Sequence, residues 1–164
     1  MKVRNLVHFV AVVAMALGFG EAFAQRIENN VPAGIQLSKD LGRVNPSTAI
    51  NVTVHLKLND KAAFNKAVDA LYDRNSPTYH HWMNNNDLRK YAPSETQTEI
   101  VRQELEKHGL TILSTDALGF TIRAQGPAAN VENAFNTELH NFDYNGRIYR
   151  ANIRNARLAG EAGD

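Results

Sequence analysis

The 164-residue sequence contains no cysteine. Disulfide bonds and thiolate metal sites are therefore excluded as sources of stability. A chain of this length can fold without them, because it buries about two-thirds of its surface on folding. The fold must depend on one hydrophobic core.

Long apolar segments are also missing. The longest one, residues 6–19, is shorter than the roughly 20 residues that a membrane-spanning helix needs. Lys2 and Arg4 precede this segment, and Ala22-Phe23-Ala24 follows it in the small-x-small pattern that signal peptidase recognises. The pattern predicts a signal peptide at residues 1–24.

Cleavage is expected between Ala24 and Gln25, which would make the protein exported, either periplasmic or extracellular. An uncleaved membrane anchor is the alternative, but the A-x-A site and the polar Gln25 favour cleavage. We expect no membrane association after cleavage.

Neither sign of charge is in excess. Removing residues 1–24 leaves sixteen basic and sixteen acidic residues, with five histidines. This balance argues against a nucleic-acid-binding function, which would need a basic excess. In acid the carboxylates become neutral and the histidines cationic, so the chain turns strongly positive.

Catalytic and nucleotide-binding motifs are absent as well. No serine lies in a G-x-S-x-G sequence, and neither G-x-G-x-x-G nor a P-loop is present. Residues 118–122 have a faint similarity to an RNA-recognition motif, but the aromatic spacing is incomplete and the charge is neutral.

Strand and helix periodicities alternate beyond residue 50. Residues 51–58 alternate apolar and polar, which predicts a half-buried strand. Asp60 is expected to cap a first helix, and Ser94 with Gln97 to form the capping box of a second long helix. The other predicted elements are a short helix after Asn86, strands at 110–114 and 118–124, a helix opened by Gly126-Pro127, and strands at 139–144 and 147–151 joined by Asn145-Gly146.

This order predicts the α+β class, with a ferredoxin-like (split βαβ) antiparallel sheet covered on one face by helices. Residues 25–49 contain prolines and glycines without a sustained period, and they are interpreted as an extended lead-in. Residues 50–158 would form the single domain, and residues 159–164 a flexible tail.

Four segments resemble one known family. They are the run from Leu71 to Trp82, which reads L-Y-D-R-N-S-P-T-Y-H-H-W; His108-Gly109-Leu110-Thr111; Val131-Glu132-Asn133-Ala134-Phe135 with Glu138-Leu139-His140; and N-G-R-I-Y-R-A-N at residues 145–152. In this order they are similar to the activation (pro) domain of the sedolisin/kumamolisin family of serine-carboxyl peptidases. Arg74 and Met83 are mild departures from positions where the family often has Pro and Leu.

The resemblance implies a propeptide rather than an enzyme. In this family the peptidase domain follows the pro-domain and carries a Ser-Glu-Asp triad and a calcium site, whereas the present sequence ends at Asp164. We therefore expect no catalytic residue, no metal site and no cofactor. The implied role is inhibition and assisted folding of a cognate sedolisin-type peptidase, with acid-triggered release, by a protein that is monomeric alone.

The run Tyr79-His80-His81-Trp82 is the densest group of functional side chains. Tyr79, His80 and Trp82 are candidate contacts to the peptidase, because aromatic side chains often anchor interfaces. In the alternative interpretation, Pro77, Tyr79 and Trp82 plug the end of the core. A metal site is disfavoured, because adjacent histidines on an extended segment point apart.

Arg147, Tyr149, Arg150 and Arg154 are further candidate contacts. The arginines could pair with carboxylates of a peptidase, or they could be a solvated end of the chain. For His55, His108 and His140 a pH-sensing role and an ordinary solvated or capping role are both open.

The predicted function is that of a propeptide acting on a separate peptidase. In this interpretation the sheet face packs on the peptidase and the segment after Ala151 runs towards its substrate cleft. The alternatives are an exported non-catalytic protein-binding module and a truncated peptidase precursor.

Overall fold

A computed structural model of the protein describes residues 10–13 and 30–159. The strands are β1 Val10–Val13, β2 Lys39–Arg43, β3 Ala49–Leu56, β4 Thr111–Thr115, β5 Thr121–Pro127, β6 Leu139–Tyr144 and β7 Arg147–Asn152. The helices are α1 Lys61–Tyr72, α2 Asn85–Arg89, α3 Glu95–Lys107 and α4 Ala128–Ala134, and a short 3-10 helix spans Ala33–Leu37. Within these ranges, none of the helices has the length and apolar character needed to cross a membrane.

The first sheet has the strand order β1-β3-β5-β4. β5 is antiparallel to both of its neighbours, so β3 and β4 run parallel on either side of it. Since α3 lies between β3 and β4 in the chain, this is the predicted split βαβ arrangement. α3 packs against β4, and α4 packs against β3 and β5. The α+β class is confirmed.

A second sheet departs from the expected ferredoxin-like order. In that order β6 would lie beside β3, but β6 is the middle strand of an antiparallel sheet β2-β6-β7. β2 belongs to the lead-in, where Lys39 pairs with Asp143 and Asp40 with Phe142. No alternating apolar pattern marks β2, because its residues are mostly exposed and its order comes from pairing with β6.

The core lies between the first sheet and its helices. Alternate residues of β3 face inward, so that Ile50, Val52, Val54 and Leu56 are buried while Asn51 and His55 are exposed. The largest buried side chains contributed by other elements are Leu105, Ile122, Val131, Phe135 and Leu139. The other face of β3 and β5 is polar and open, and carries Asn51, Arg123 and Gln125.

The helix caps and the hairpin turn agree with the predictions. The Asp60 side chain accepts a hydrogen bond from the Ala63 N–H, and Ser94 and Gln97 form the expected reciprocal capping box. Gly109 ends α3 with φ +75, and a Cβ there would lie 2.5 Å from Asn130 Nδ2. The hairpin residues Asn145 and Gly146 both have positive φ, as a type I′ turn requires.

The segment after β7 is packed on the body. Leu158 is buried in the core, and the N–H groups of Arg157 and Ala159 donate to the carbonyls of Phe135 and Ala134 at 2.7 and 2.8 Å. The segment after Ala151 therefore lies against the body as far as Ala159, and its course towards a peptidase cleft stays a prediction. Residues 160–164 of the predicted tail lie outside the described residues.

Asn30, in the predicted lead-in, is hydrogen-bonded to this segment. Asn30 Nδ2 donates to Ala156 O, and Asn30 Oδ1 accepts from the Ala156 N–H and from Asn152 Nδ2, all within 2.9 Å. The lead-in and the C-terminal segment are therefore joined side by side.

Candidate protein-binding site

Four ring side chains at the end of α1 and in the segment before α2 form a surface group, here called the aromatic cluster: Tyr72, Tyr79, His80 and Trp82. The rings of Tyr79 and His80 stack at 3.8 Å between centroids, and those of His80 and Trp82 at 5.7 Å. Tyr72 meets Trp82 edge to face at 5.6 Å. Tyr72 is 65% exposed and Trp82 61% exposed, so the cluster presents apolar ring surface to the solvent.

The backbone holds this cluster in place. His80 has φ 58, a left-handed conformation that is uncommon for a non-glycine residue. Its N–H donates to Leu71 O at 2.9 Å, which ties the segment back to the end of α1. The N–H of Tyr79 donates to Ser76 O, and that of His81 to Thr78 O. The ring positions are therefore set by local turns.

The interpretation of Pro77, Tyr79 and Trp82 as a core plug is wrong. Pro77 and Trp82 are exposed and Tyr79 is half-buried. The segment after α1 instead forms turns at the surface, and the His80 N–H holds it to Leu71 O at the end of that helix.

A groove of about 670 Å³ adjoins the cluster between α1 and the segment that leads into α2. Its apolar lining consists of Ala63, Ala67, Ala70, Leu71, Trp82, Met83 and Tyr91. Lys66 and Lys90 also line the groove, and Lys90 lies 3.4 Å from Asp87. An apolar groove beside exposed aromatic rings is suited to binding a protein surface.

The predicted basic residues occupy β7 and the segment after it. Arg147 and Arg154 are exposed, and Tyr149 is 47% exposed. Arg154 Nη2 lies 3.4 Å from Glu138 Oε2. Tyr149 is paired with Phe142 and Arg147 with Tyr144, so the two candidates share one face of the second sheet.

Arg150 differs from the other candidates. It points to the opposite face of β7, and its Nε atom is buried without a hydrogen-bond partner among the described residues. Burial lowers the pKa of its guanidinium. A buried donor without a partner costs free energy, and because Nε is buried it is not itself available to a carboxylate of another protein.

His140 is the centre of an ion-pair network. Its Nδ1 lies 2.8 Å from Asp40 Oδ2 on β2, and its Nε2 lies 3.1 Å from Glu138 Oε1. Burial lowers the pKa of His140, but the hydrogen bonds to Glu138 and Asp40 outweigh it, and the pKa is raised. The pKa of Asp40 is lowered by the Gly42 N–H and by His140, and that of Glu138 by the hydrogen bond with His140.

The other two histidines have ordinary surroundings. His55 is exposed on the open face of the first sheet, with Nδ1 3.3 Å from Thr121 Oγ1. His108 caps α3, and its Nε2 lies 3.0 Å from Glu104 Oε1. Within residues 10–13 and 30–159, no three His, Asp or Glu side chains converge as a metal site would require.

Sequence reasoning missed a buried acid. Glu132 is 5% exposed, and its Oε1 accepts from the Leu139 N–H at 2.8 Å while its Oε2 pairs with Arg43 Nη2 at 2.7 Å. A signal was present, because Glu132 falls on the same helical stripe as Ala128, Val131 and Phe135. Tyr72, which is 65% exposed, was likewise not among the candidate contacts.

The structure therefore gathers the candidate contacts into two separate groups. Tyr79, His80 and Trp82 belong to the aromatic cluster, and the arginines with Tyr149 belong to the β7 end. The predicted cleavage site at Ala24 and Gln25 lies outside the described residues.

Comparison with known proteins identifies the family to which the chain belongs. Residues 36–161 match the family model described as "Pro-kumamolisin, activation domain". The match begins before β2 and thus takes in part of the lead-in. A relative is Sedolisin of Pseudomonas sp. (strain 101), 28% identical over 115 residues, which cover 70% of this chain and 20% of Sedolisin. The chain thus aligns with about a fifth of that relative's length, and it belongs to the pro-kumamolisin activation domain family.

Proposed function

We propose that the protein is a non-catalytic propeptide that acts in trans as an inhibitor and folding chaperone of a sedolisin-type peptidase. Propeptide domains of this family associate with a cognate peptidase catalytic domain. The body has its own core, which runs from Val44 to Leu158. It can therefore present a preformed surface to a separate partner.

The observation that carries the proposal is the exposed aromatic cluster. Interface hot spots are enriched in Trp and Tyr, and rigid aromatic anchors lose little conformational entropy on binding. Trp82 is stacked and exposed at the same time, and it adjoins an apolar groove. A solitary surface Trp would have neither the stacked neighbouring ring nor the adjoining apolar groove.

Acid-triggered release is a second part of the proposal. Arg147, Arg150 and Arg154 would pair with carboxylates of the peptidase. These pairs weaken as the carboxylates begin to be protonated below about pH 5, while the arginines stay charged. The affinity should then fall as the pH drops.

Export is the third part. The predicted signal peptide would deliver the protein to the periplasm or the cell exterior. There a cysteine-free fold needs no oxidising step, and a secreted peptidase would be within reach.

The test is inhibition of a purified sedolisin-type peptidase by the chain that starts at Gln25. We expect inhibition that weakens between pH 7 and pH 4. Trp82→Ala should weaken it at least tenfold, because truncation of a hot-spot Trp typically costs about 2 kcal/mol or more. Leu113→Ala is the matched control, since Leu113 is 54% exposed on β4, away from the cluster.

Equal loss of inhibition in the two variants, or no inhibition by the wild type, would contradict the proposal. In the second case the alternatives, an exported binding module or a truncated peptidase precursor, would take its place. Reading the DNA downstream of the Asp164 codon for a continued frame separates these two.

A further inference from the structure

The side of β3 that faces away from β5 presents its backbone N–H and C=O groups in a particular register. The Leu56 N–H donates to Phe120 O at 2.8 Å, on the β5 side. Because hydrogen-bonded pairs alternate along antiparallel strands, the even-numbered residues of β3 bond to β5. Asn51, Thr53 and His55 consequently turn their N–H and C=O groups to the other edge.

This edge lacks the features that normally protect a free strand. Residues 49–56 contain no proline, glycine, lysine, arginine or acid. Their pairing with β5 is unbroken from Ala49 to His55, whereas the register of β4 at the opposite edge shifts between Ile112 and Ser114. Natural sheets protect free edges with charges, prolines or bulges. A regular, uncharged edge is the kind that pairs with another strand.

Part of the predicted signal peptide lies on this edge. Val10–Val13 pair in parallel with Thr53–Leu56, with Val10 opposite Thr53. Cleavage after Ala24 would remove this strand. The edge would then be open in the chain that starts at Gln25.

The sequence of β3 is self-complementary about Thr53. Residues 50–56 read I-N-V-T-V-H-L, so that each residue and its mirror position carry similar chemistry. In an antiparallel pair of two copies the facing residues would be Thr53 with Thr53, Asn51 with His55, Val52 with Val54, and Ile50 with Leu56. Polar residues meet on the open face and apolar residues on the helix-covered face, without like charges in register.

We propose that the chain lacking residues 1–24 forms a twofold dimer by pairing β3 with β3 of a second copy, centred on Thr53. The two first sheets join into one sheet with β3 of each copy at its centre. This replaces the monomer predicted from the sequence, and it does not depend on a peptidase partner.

Disulfide crosslinking tests the register, because the natural sequence supplies no competing thiol. Residues facing each other in a hydrogen-bonded antiparallel pair have Cα atoms about 5.5 Å apart, which a disulfide can span. Thr53→Cys should therefore crosslink to a dimer on oxidation. Asn51→Cys or His55→Cys alone should not, since each would be offset from its own copy by four residues, roughly 13 Å. A mixture of those two variants should crosslink.

The mass in solution provides a second test. The wild-type chain from Gln25 should have twice the monomer mass by light scattering. Thr53→Lys places two ammonium groups face to face and should give a monomer with an unchanged circular dichroism spectrum. Thr53→Pro removes an outward N–H without touching the β5 ladder and should do the same. Thr53→Ser, the control, should stay dimeric. A monomeric wild type at the highest soluble concentration, or a Thr53→Cys variant that fails to crosslink, would overturn the proposal.

Discussion

Removing the Glu132 side chain tests how α4 is joined to the second sheet. Glu132 accepts from the buried Leu139 N–H at the start of β6 and pairs with Arg43 at the end of β2. Glu132→Ala leaves that N–H without a partner and removes buried methylene groups from the join.

The two contacts of Glu132 are expected to contribute differently to the free energy of unfolding. A buried donor left without a partner costs about 1–3 kcal/mol, and each lost buried methylene group up to about 0.8 kcal/mol. Arg43 is 59% exposed, so solvent screening limits its ion pair to about 1 kcal/mol or less. We therefore expect Glu132→Ala to lower the free energy of unfolding by about 2–4 kcal/mol. Arg43→Ala should lower it by less than about 1 kcal/mol.

Urea unfolding followed by circular dichroism measures both values. Glu132→Gln is the matched variant, because it keeps an oxygen for the Leu139 N–H but loses the charge. Glu132→Gln should lower the free energy of unfolding by less than Glu132→Ala does. If Arg43→Ala destabilised the protein as much as Glu132→Ala, the ion pair would be the main contribution and the reasoning from the backbone N–H would be refuted.

Two further predictions concern the second sheet and the C-terminal segment. The raised pKa of His140 contributes stability that is complete below about pH 6.5 and is lost as the pH rises through the folded pKa. The lowered pKa values of Asp40 and Glu138 contribute stability above about pH 4, which is lost in stronger acid. His140→Gln should therefore reduce the urea midpoint more at pH 5.5 than at pH 8.5, and an equal reduction at both would contradict this. Leu158→Ala should lower the free energy of unfolding by about 2–5 kcal/mol, because Leu158 is a core residue, and a loss below about 0.5 kcal/mol would mean that the segment is a tail.

Local signals predicted the strands and helices well where neighbouring residues specify them. The alternation of residues 51–58, the Ser94 capping box and the Asn145-Gly146 turn each specify structure within a few residues, and the structure contains β3, α3 and the β6–β7 hairpin where they were expected. Such signals depend on neighbours in the chain, so a single sequence displays them.

Long-range pairing could not be predicted in the same way. β2 is ordered by β6, about a hundred residues away, and its own residues carry no apolar alternation. The carboxylates around His140 come from β2 and from the residue before β6, so only the folded chain brings them together. Tyr79, His80 and Trp82 of the candidate site were identified, but the choice between exposure and burial in the core stayed open, because the spacing of Tyr79 and Trp82 does not indicate which side of a surface turn they occupy.

The side chain of Asn30 joins the predicted lead-in to the end of β7 and to the segment after it. Asn30→Ala would remove three hydrogen bonds to this segment at once, while buried Leu158 and the bonds from Arg157 and Ala159 would still hold the segment on the body.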